Sequence, residues 1–426
     1  MEVNPSVADR IAIRFEHPDP LVDEPIGVIV SGCEPGSVVN VHASVDVAGA
    51  VHEASATFNA DANGVVDTSR HPSRAGTYVG VDPFGLWWSG EATTPAATPP
   101  LAPVTCRLHV ETGPEAADAV LTRRWLADGA TVTEVDDSGV WGLFARPPGP
   151  GPFPGVVAFG GSGGGLGPAA EWAAVLASHG FATLAIGYFG AAALPRTLVG
   201  IEVEVVERAV AWLVNRPDIT PHSIAVMGMS RGSELALLAG ALVGGIGAVV
   251  AFAPSGVAWS GLDTDGPVDA PAWTFRGEVI PYARIGEAAR LKATGSNGPV
   301  ALRTAFGSAL EDAVAIRSAE IPVERIRGPI LLVSGEQDAM WPSTPMGEIV
   351  ERRTAERGFS YEVTHLRYSD AGHLCAGVPG TPVVTEVRHP LTNGFYTFGG
   401  SRAGNAAARA DSWPRVLSFL DDALRP

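Results

Sequence analysis

The chain has 426 residues, enough for about two to three domains, and its 46% apolar and 18% charged residues are those of a globular protein. A net charge of −17 disfavours nucleic acid or an anionic membrane as a partner, while leaving room for an anionic substrate in a local basic pocket. No run approaches the ~18 to 20 apolar residues of a membrane span and no apolar h-region follows Met1, while three sparse cysteines suit a reducing compartment, so a cytoplasmic protein is expected.

Residues 1–125 are expected to form a small antiparallel β-sandwich. Pro25–Val30, Val38–Val45 and His52–Phe58 are short β-branched or alternating runs, separated by turns such as Gly32-Cys33-Glu34-Pro35-Gly36 and Asp61-Ala62-Asn63-Gly64. Val65–Asp67 follows the second turn. Residues 95–103, rich in Pro, Ala and Thr, are expected to be an exposed connection before a strand over Val104–Val110.

From about Ala116 the pattern changes, and residues 126–426 are expected to form one α/β domain. A helix is predicted over Ala117–Leu126 and strands over Thr131–Val135 and Val140–Ala145. Strand and helix then alternate. Strands are predicted at Gly155–Phe159, Ala182–Ile186, Ser223–Met227 and Ala248–Ala253, with helices at Ala169–Ser178, Ile201–Val214 and Glu234–Ala239. Near-continuous apolar strands joined by helices indicate a mostly parallel sheet covered on both faces. Residues 257–318 break the rhythm and read as a cap or pocket-lining insertion, with helical stretches near Ala288 and Ala309. The sheet resumes at Ile330–Val333 and Val363–Tyr368, and a helix over Trp413–Leu424 closes the chain.

The chemistry centres on Gly228-Met229-Ser230-Arg231-Gly232. A strand-length apolar run precedes it and strong helix formers follow, which is the context of a nucleophile elbow. A serine hydroxyl needs a base to take its proton, and the base needs an acid to hold its tautomer. In α/β hydrolases these follow in the order Ser, Asp or Glu, His, each after a strand. The acid candidates after Val333 are Glu336 and Asp338, of which Asp338 is preferred and Glu336 is expected in solvent. The base candidate is His373, after the strand ending at Tyr368, with Gly372 letting the loop turn sharply. Asp370 is expected to serve the loop rather than the reaction. Cys375 is read as a small buried hydrophobe rather than a reactive thiol.

An oxyanion hole requires the backbone N–H of Arg231 and a second N–H after an earlier strand. The loop Phe159–Gly165 supplies it from Gly161 or Ser162. A phosphate cradle is the competing reading of this loop, but the Walker lysine and a Rossmann first strand are missing. No metal or redox cofactor is expected, and the ten histidines show no metal-ligand spacing.

The sequence resembles the family of type-I acyl-CoA thioesterases and bile-acid-CoA:amino-acid N-acyltransferases, over nearly the whole chain. The resemblance rests on Leu21–Pro25, Gly64–Asp67 and Gly76–Ser89 in the first domain. In the second it rests on Gly151–Gly155, the glycine loop, Gly180–Ala182, Gly228–Glu234, Ser334–Ser343, Gly399-Gly400 and Asp411–Leu417. It implies an N-terminal β-sandwich, a C-terminal α/β-hydrolase domain and a triad of Ser230, Asp338 and His373. Within the family a cysteine nucleophile goes with N-acyl transfer and a serine with thioester hydrolysis. Arg231 and Leu374-Cys375-Ala376-Gly377 depart from the family pattern.

The expected protein is therefore a serine acyl-CoA thioesterase that needs no cofactor, with an acyl-CoA or acyl-carrier-protein thioester as its substrate partner. The alternatives are an acyltransferase to an amine or alcohol and a non-catalytic binding scaffold.

Overall fold

The computed structural model describes residues 11–92, 101–191, 193–286 and 298–425, and these fall into two compact units. The first comprises residues up to Trp125 together with Val378–Val383, and the second comprises Leu126–Gly377 and Val384 onward.

The first unit is built of two antiparallel sheets. A three-stranded one joins Ala12–Phe15, Val28–Ser31 and Val66–Asp67. A six-stranded one is organised on the long hairpin Val38–Val47/Ala50–Asn59. Ala48 and Gly49 both take positive φ in its two-residue turn, which matches the twist of the flanking strands. Inward-facing Val39, Val41, Ala43, Val45 and Phe58 are buried, as the alternation requires.

The helix predicted over Ala117–Leu126 is absent. Glu115–Arg123 is a strand, paired antiparallel with Val104–Thr112 from Val104↔Arg123 to Thr112↔Glu115. Alanine favours a helix by only tenths of a kcal/mol per residue. A full ladder against a neighbouring strand outweighs that, and exposure alternates along Glu115–Val120 as in a strand. Arg123 at its end is fully buried and donates to the carbonyls of Gly380 and Val22, which ties Val378–Val383 into this unit.

The second unit contains an eight-stranded sheet, its strands numbered here in chain order: β1 Thr131–Asp137, β2 Val140–Arg146, β3 Phe153–Phe159, β4 Ala182–Gly187, β5 Ile219–Met229, β6 Ala248–Phe252, β7 Ile330–Gly335 and β8 Val363–Tyr368. The spatial order is β1-β2-β4-β3-β5-β6-β7-β8; β2 pairs antiparallel with both β1 and β4, and the other pairings are parallel. That is a mostly parallel α/β-hydrolase sheet. β4, β6 and β7 are buried along their whole length, which explains their unbroken apolar character.

Among the described residues the helices of this unit are α1 Ala169–Ser178, α2 Glu204–Val214, α3 Arg231–Leu242, α4 Arg303–Leu310, α5 Ala313–Ala319, α6 Ser343–Glu356 and α7 Arg402–Leu424. Several bounds differ from expectation, two of them for reasons visible in the local pairing and capping. Ile201 and Glu202 pair with Trp273–Phe275 as a short strand, so α2 starts at Glu204. α7 begins at Arg402, capped by Ser401 Oγ accepting from Gly404 N–H at 2.8 Å, and runs through Pro414, which forfeits one backbone donor.

The segment after β6 forms short strands and the helices α4 and α5. Its Trp259 and Phe306 make a separate apolar cluster with Trp341 and Tyr396. The helix expected near Ala288, and most of the connection expected over residues 95–103, lie outside the described residues. Among the described residues no helix is long and apolar enough to cross a membrane.

Candidate active site

Ser230 occupies the single position between the end of β5 and the start of α3, with φ 58° and ψ −123°. A non-glycine residue is strained there, and the surroundings hold it. Its N–H donates to Phe252 O on β6 at 2.9 Å, while its carbonyl accepts from Ser233 N–H at 2.8 Å and Ser233 Oγ at 2.6 Å. The flanking glycines are needed for close approach. A Cβ on Gly228 would lie 2.2 Å from Gly232 O, and one on Gly232 would lie 2.2 Å from Gly160 O. The elbow and the glycine loop after β3 are thus pressed together. A Cβ on Gly161 would stand 3.1 Å from Ser230 Cβ.

That loop is pinned from behind. The Tyr188 hydroxyl lies 3.0 Å from both Gly160 O and Gly161 O and donates to them, and Gly165 N–H donates to Phe189 O at 2.8 Å.

Asp338 follows β7 and is fully buried, whereas Glu336 in the same loop is exposed. One carboxylate oxygen of Asp338 accepts from Met340 N–H (2.9 Å) and Trp341 N–H (3.1 Å). The other lies 2.8 Å from His373 Nδ1. Its backbone carbonyl accepts from Arg303 at 2.7 Å. An ionised carboxylate only accepts, so His373 carries its proton on Nδ1 and leaves Nε2 with a free lone pair.

His373 follows β8, is 2% exposed and donates its N–H to Phe398 O at 2.8 Å. The expected reason for Gly372 needs correction: its φ is not positive. It is glycine because a Cβ would lie 2.2 Å from Gly399 O. An edge-on aromatic chain, Trp259–Phe306–Trp341–His373, with centroids 4.8, 5.6 and 5.7 Å apart, links the segment after β6 to this imidazole.

Ser230, His373, Arg231 and Ser162 line one small cavity of about 50 Å³. Asp338 sits behind His373 rather than in the wall, and Gly161 abuts Ser230. Apolar Leu302, Phe306, Met340 and Trp341 make up much of the remaining lining.

The sequence reading missed several contacts around this site. Arg231 and Glu234, one turn apart on α3, form a buried ion pair at 3.2 Å. Arg231 also donates to Trp259 O and Ser260 O (3.0 Å each), and Glu234 accepts from Trp273 Nε1 (2.8 Å) and Trp259 N–H (3.2 Å). Burial pushes the Glu234 carboxyl up to about 7, against the pull of Arg231. The i, i+3 spacing was visible, but not its burial. His389, in the cavity wall, carried no sequence signal at all. Cys375 is fully buried, with its thiol pushed up to about 12 by burial and the nearby Asp338, so it stays protonated. Among the described residues no cluster of three His, Cys, Asp or Glu side chains is placed to hold a metal.

The chain matches two family models: the BAAT/acyl-CoA thioester hydrolase C-terminal region over residues 201–426, and the acyl-CoA thioester hydrolase/BAAT N-terminal region over residues 23–137. It is 30% identical to acyl-coenzyme A thioesterase 1 of Rattus norvegicus, over 94% of each chain. Peroxisomal succinyl-coenzyme A thioesterase of Mus musculus is 29% identical over 93% of each. Bile acid-CoA:amino acid N-acyltransferase of Mus musculus is 30% identical over 95% of this chain and 96% of its own.

Proposed function

Because the chain belongs to the acyl-CoA thioester hydrolase/BAAT family, we propose that it is a serine-dependent acyl-CoA thioesterase working through an acyl-serine intermediate. The observation that carries this reading is the buried His373–Asp338 pair, which occupies Nδ1 and leaves Nε2 as the acceptor in the cavity that Ser230 lines.

Ser230 Oγ attacks the thioester carbonyl carbon as His373 Nε2 takes its proton. Asp338 stabilises the imidazolium through Nδ1–H. The carbonyl oxygen, now an anion, is held by the N–H of Arg231 at the N-terminus of α3 and by the N–H of Gly161 or Ser162. Collapse breaks the C–S bond, His373 returns the proton to sulfur, and CoA leaves as the thiol. Water, deprotonated by His373, then attacks the acyl-serine; the ester C–O bond breaks, His373 returns the proton to Ser230 Oγ, and the acid leaves. An oxygen ester at Ser230 is open to water, which favours hydrolysis over transfer. The three described free cysteines, all buried, are consistent with a reducing, cytoplasmic setting.

The test is free-thiol release from a panel of acyl-CoAs by wild type and Ser230→Ala, with mass spectrometry of the acyl product with and without amines. Release that disappears in Ser230→Ala and yields free acid is the expected result. An acyl-amine product would move the chain to acyl transfer, the activity named for the mouse N-acyltransferase it resembles. Release unaffected by Ser230→Ala would overturn the mechanism, and activity on a carrier-protein thioester alone would change the leaving group.

A further inference from the structure

The cavity wall holds a second imidazole that the mechanism above does not use. His389 follows the short strand Glu386–Arg388, which pairs antiparallel with Phe395–Thr397, and lies in the tight turn between them. Its N–H donates to Gly394 O at 2.7 Å, and its carbonyl accepts from Asn393 N–H at 2.8 Å. The residue is 6% exposed, with its ring edge-on to Tyr396 at 5.8 Å.

The two ring nitrogens are distinguished by their partners. Nδ1 lies 3.3 Å from the N–H of Thr392, a group that only donates, so Nδ1 accepts. Burial pushes the ring down to about 4, which keeps it neutral and makes it a poor base near neutrality. A neutral imidazole that accepts at Nδ1 carries its proton on Nε2. Nε2 is 2.9 Å from Ser162 Oγ, and this hydrogen bond joins residues 227 positions apart. His389 is therefore the donor in it. Ser162 Oγ accepts, and its own proton is left to give to a third group.

Ser162 follows Gly161, which abuts Ser230, and both serines line the cavity. We propose that the Ser162 hydroxyl donates a hydrogen bond to the acyl oxygen of the bound substrate, supplementing the backbone donors, and that His389 is the positioning residue that aims it. This rests on the reading of Ser230 as the acyl-accepting nucleophile. Ser162 would touch the reacting oxygen, while His389 acts only through it.

The test uses the full chain as wild type, Ser162→Ala, His389→Ala, His389→Gln and the Ser162→Ala/His389→Ala double variant. Each is assayed for thiol release from an acyl-CoA and for the rate at which a fluorophosphonate labels Ser230, a reaction that loads the same hole without a thioester. Each alanine variant should lose on the order of tenfold to a hundredfold in kcat and labelling rate, with KM changed less than about twofold. Glutamine, whose amide can donate from a similar position, should restore most of the His389 loss. The double variant should be no slower than Ser162→Ala alone.

Multiplicative losses in the double variant, or full activity in Ser162→Ala, would overturn the proposal. So would ¹⁵N-histidine spectra, assigned by the peak missing in His389→Gln, that place the His389 proton on Nδ1 at pH 7. If wild type hydrolyses no thioester but labelling follows the expected pattern, the proposed reaction fails and the Ser162–His389 pair stands. If wild type hydrolyses thioesters and the variants match it, the pair fails alone.

Discussion

Two turns bring a histidine to the same cavity, one after β8 at Ser369–His373 and one between the short strands at His389–Gly394. Both imidazoles are nearly buried, both bind a partner at Nδ1, and both lie against aromatic rings. They differ in what that partner is. His373 meets a carboxylate, which fixes the proton on Nδ1 and frees Nε2 as an acceptor. His389 meets a backbone N–H, which fixes the proton on Nε2 and makes that nitrogen a donor. Residue type and burial alone therefore do not assign a role to a histidine. The group behind the ring decides which way hydrogen bonds run in front of it.

The harshest way to break this difference is Asp338→Asn. An amide in that place no longer fixes the His373 tautomer, and kcat should fall by about 10⁴ with folding preserved by circular dichroism. A loss below tenfold would mean that the Asp338–His373 pair serves structure alone. A second comparison makes the same substitution at both rings. His373→Gln should cost at least about three orders of magnitude in kcat, because no amide can act as the base. His389→Gln should stay within a few fold, because donation is all that position needs. Similar losses at the two sites would erase the distinction.

A smaller effect is expected from Arg303→Met, which removes the 2.7 Å bond to the Asp338 carbonyl while leaving the carboxylate contacts in place. Loosening of that loop should lower kcat by about threefold to tenfold with little change in KM. An unchanged kcat would show that Met340 and Trp341 hold Asp338 without help.

The smallest effect is on stability. His389 is held near 4 when folded and titrates near its ordinary value of about 6.5 when unfolded. Between those values the unfolded chain binds a proton that the native chain does not, so stability falls as pH drops through this window and is level above it. Wild type should lose about 1 kcal/mol more than His389→Gln between pH 7.5 and 5.5, read from urea midpoints. Equal losses would mean that the ring titrates normally in the folded protein.

The legible parts of this molecule were those in which a local constraint selects residue type. Gly228 and Gly232 appear in the sequence because no Cβ fits beside the elbow, and apolar runs such as Ile330–Val333 appear because β7 is buried throughout. Asp338 and His373 could be nominated because each closely follows a recognisable strand. The reading failed where neighbours outvote local preference. Glu115–Arg123 is alanine-rich but becomes a strand because Val104–Thr112 offers it a ladder. Nothing around His389 marks it, since it lies between two three-residue strands and its partner is far away in sequence.

By itself, then, the sequence determined the strand and helix rhythm of the second unit, the elbow and the order of its candidate partners, because backbone sterics and burial act within a few residues. The tertiary structure alone decided which carboxylate is buried against which imidazole, that Arg231 and Glu234 pair inside the protein, and which nitrogen of each histidine carries its proton. Those are distances between groups brought together by packing, and a hydrogen bond depends on separation in space, which spacing along the chain does not record.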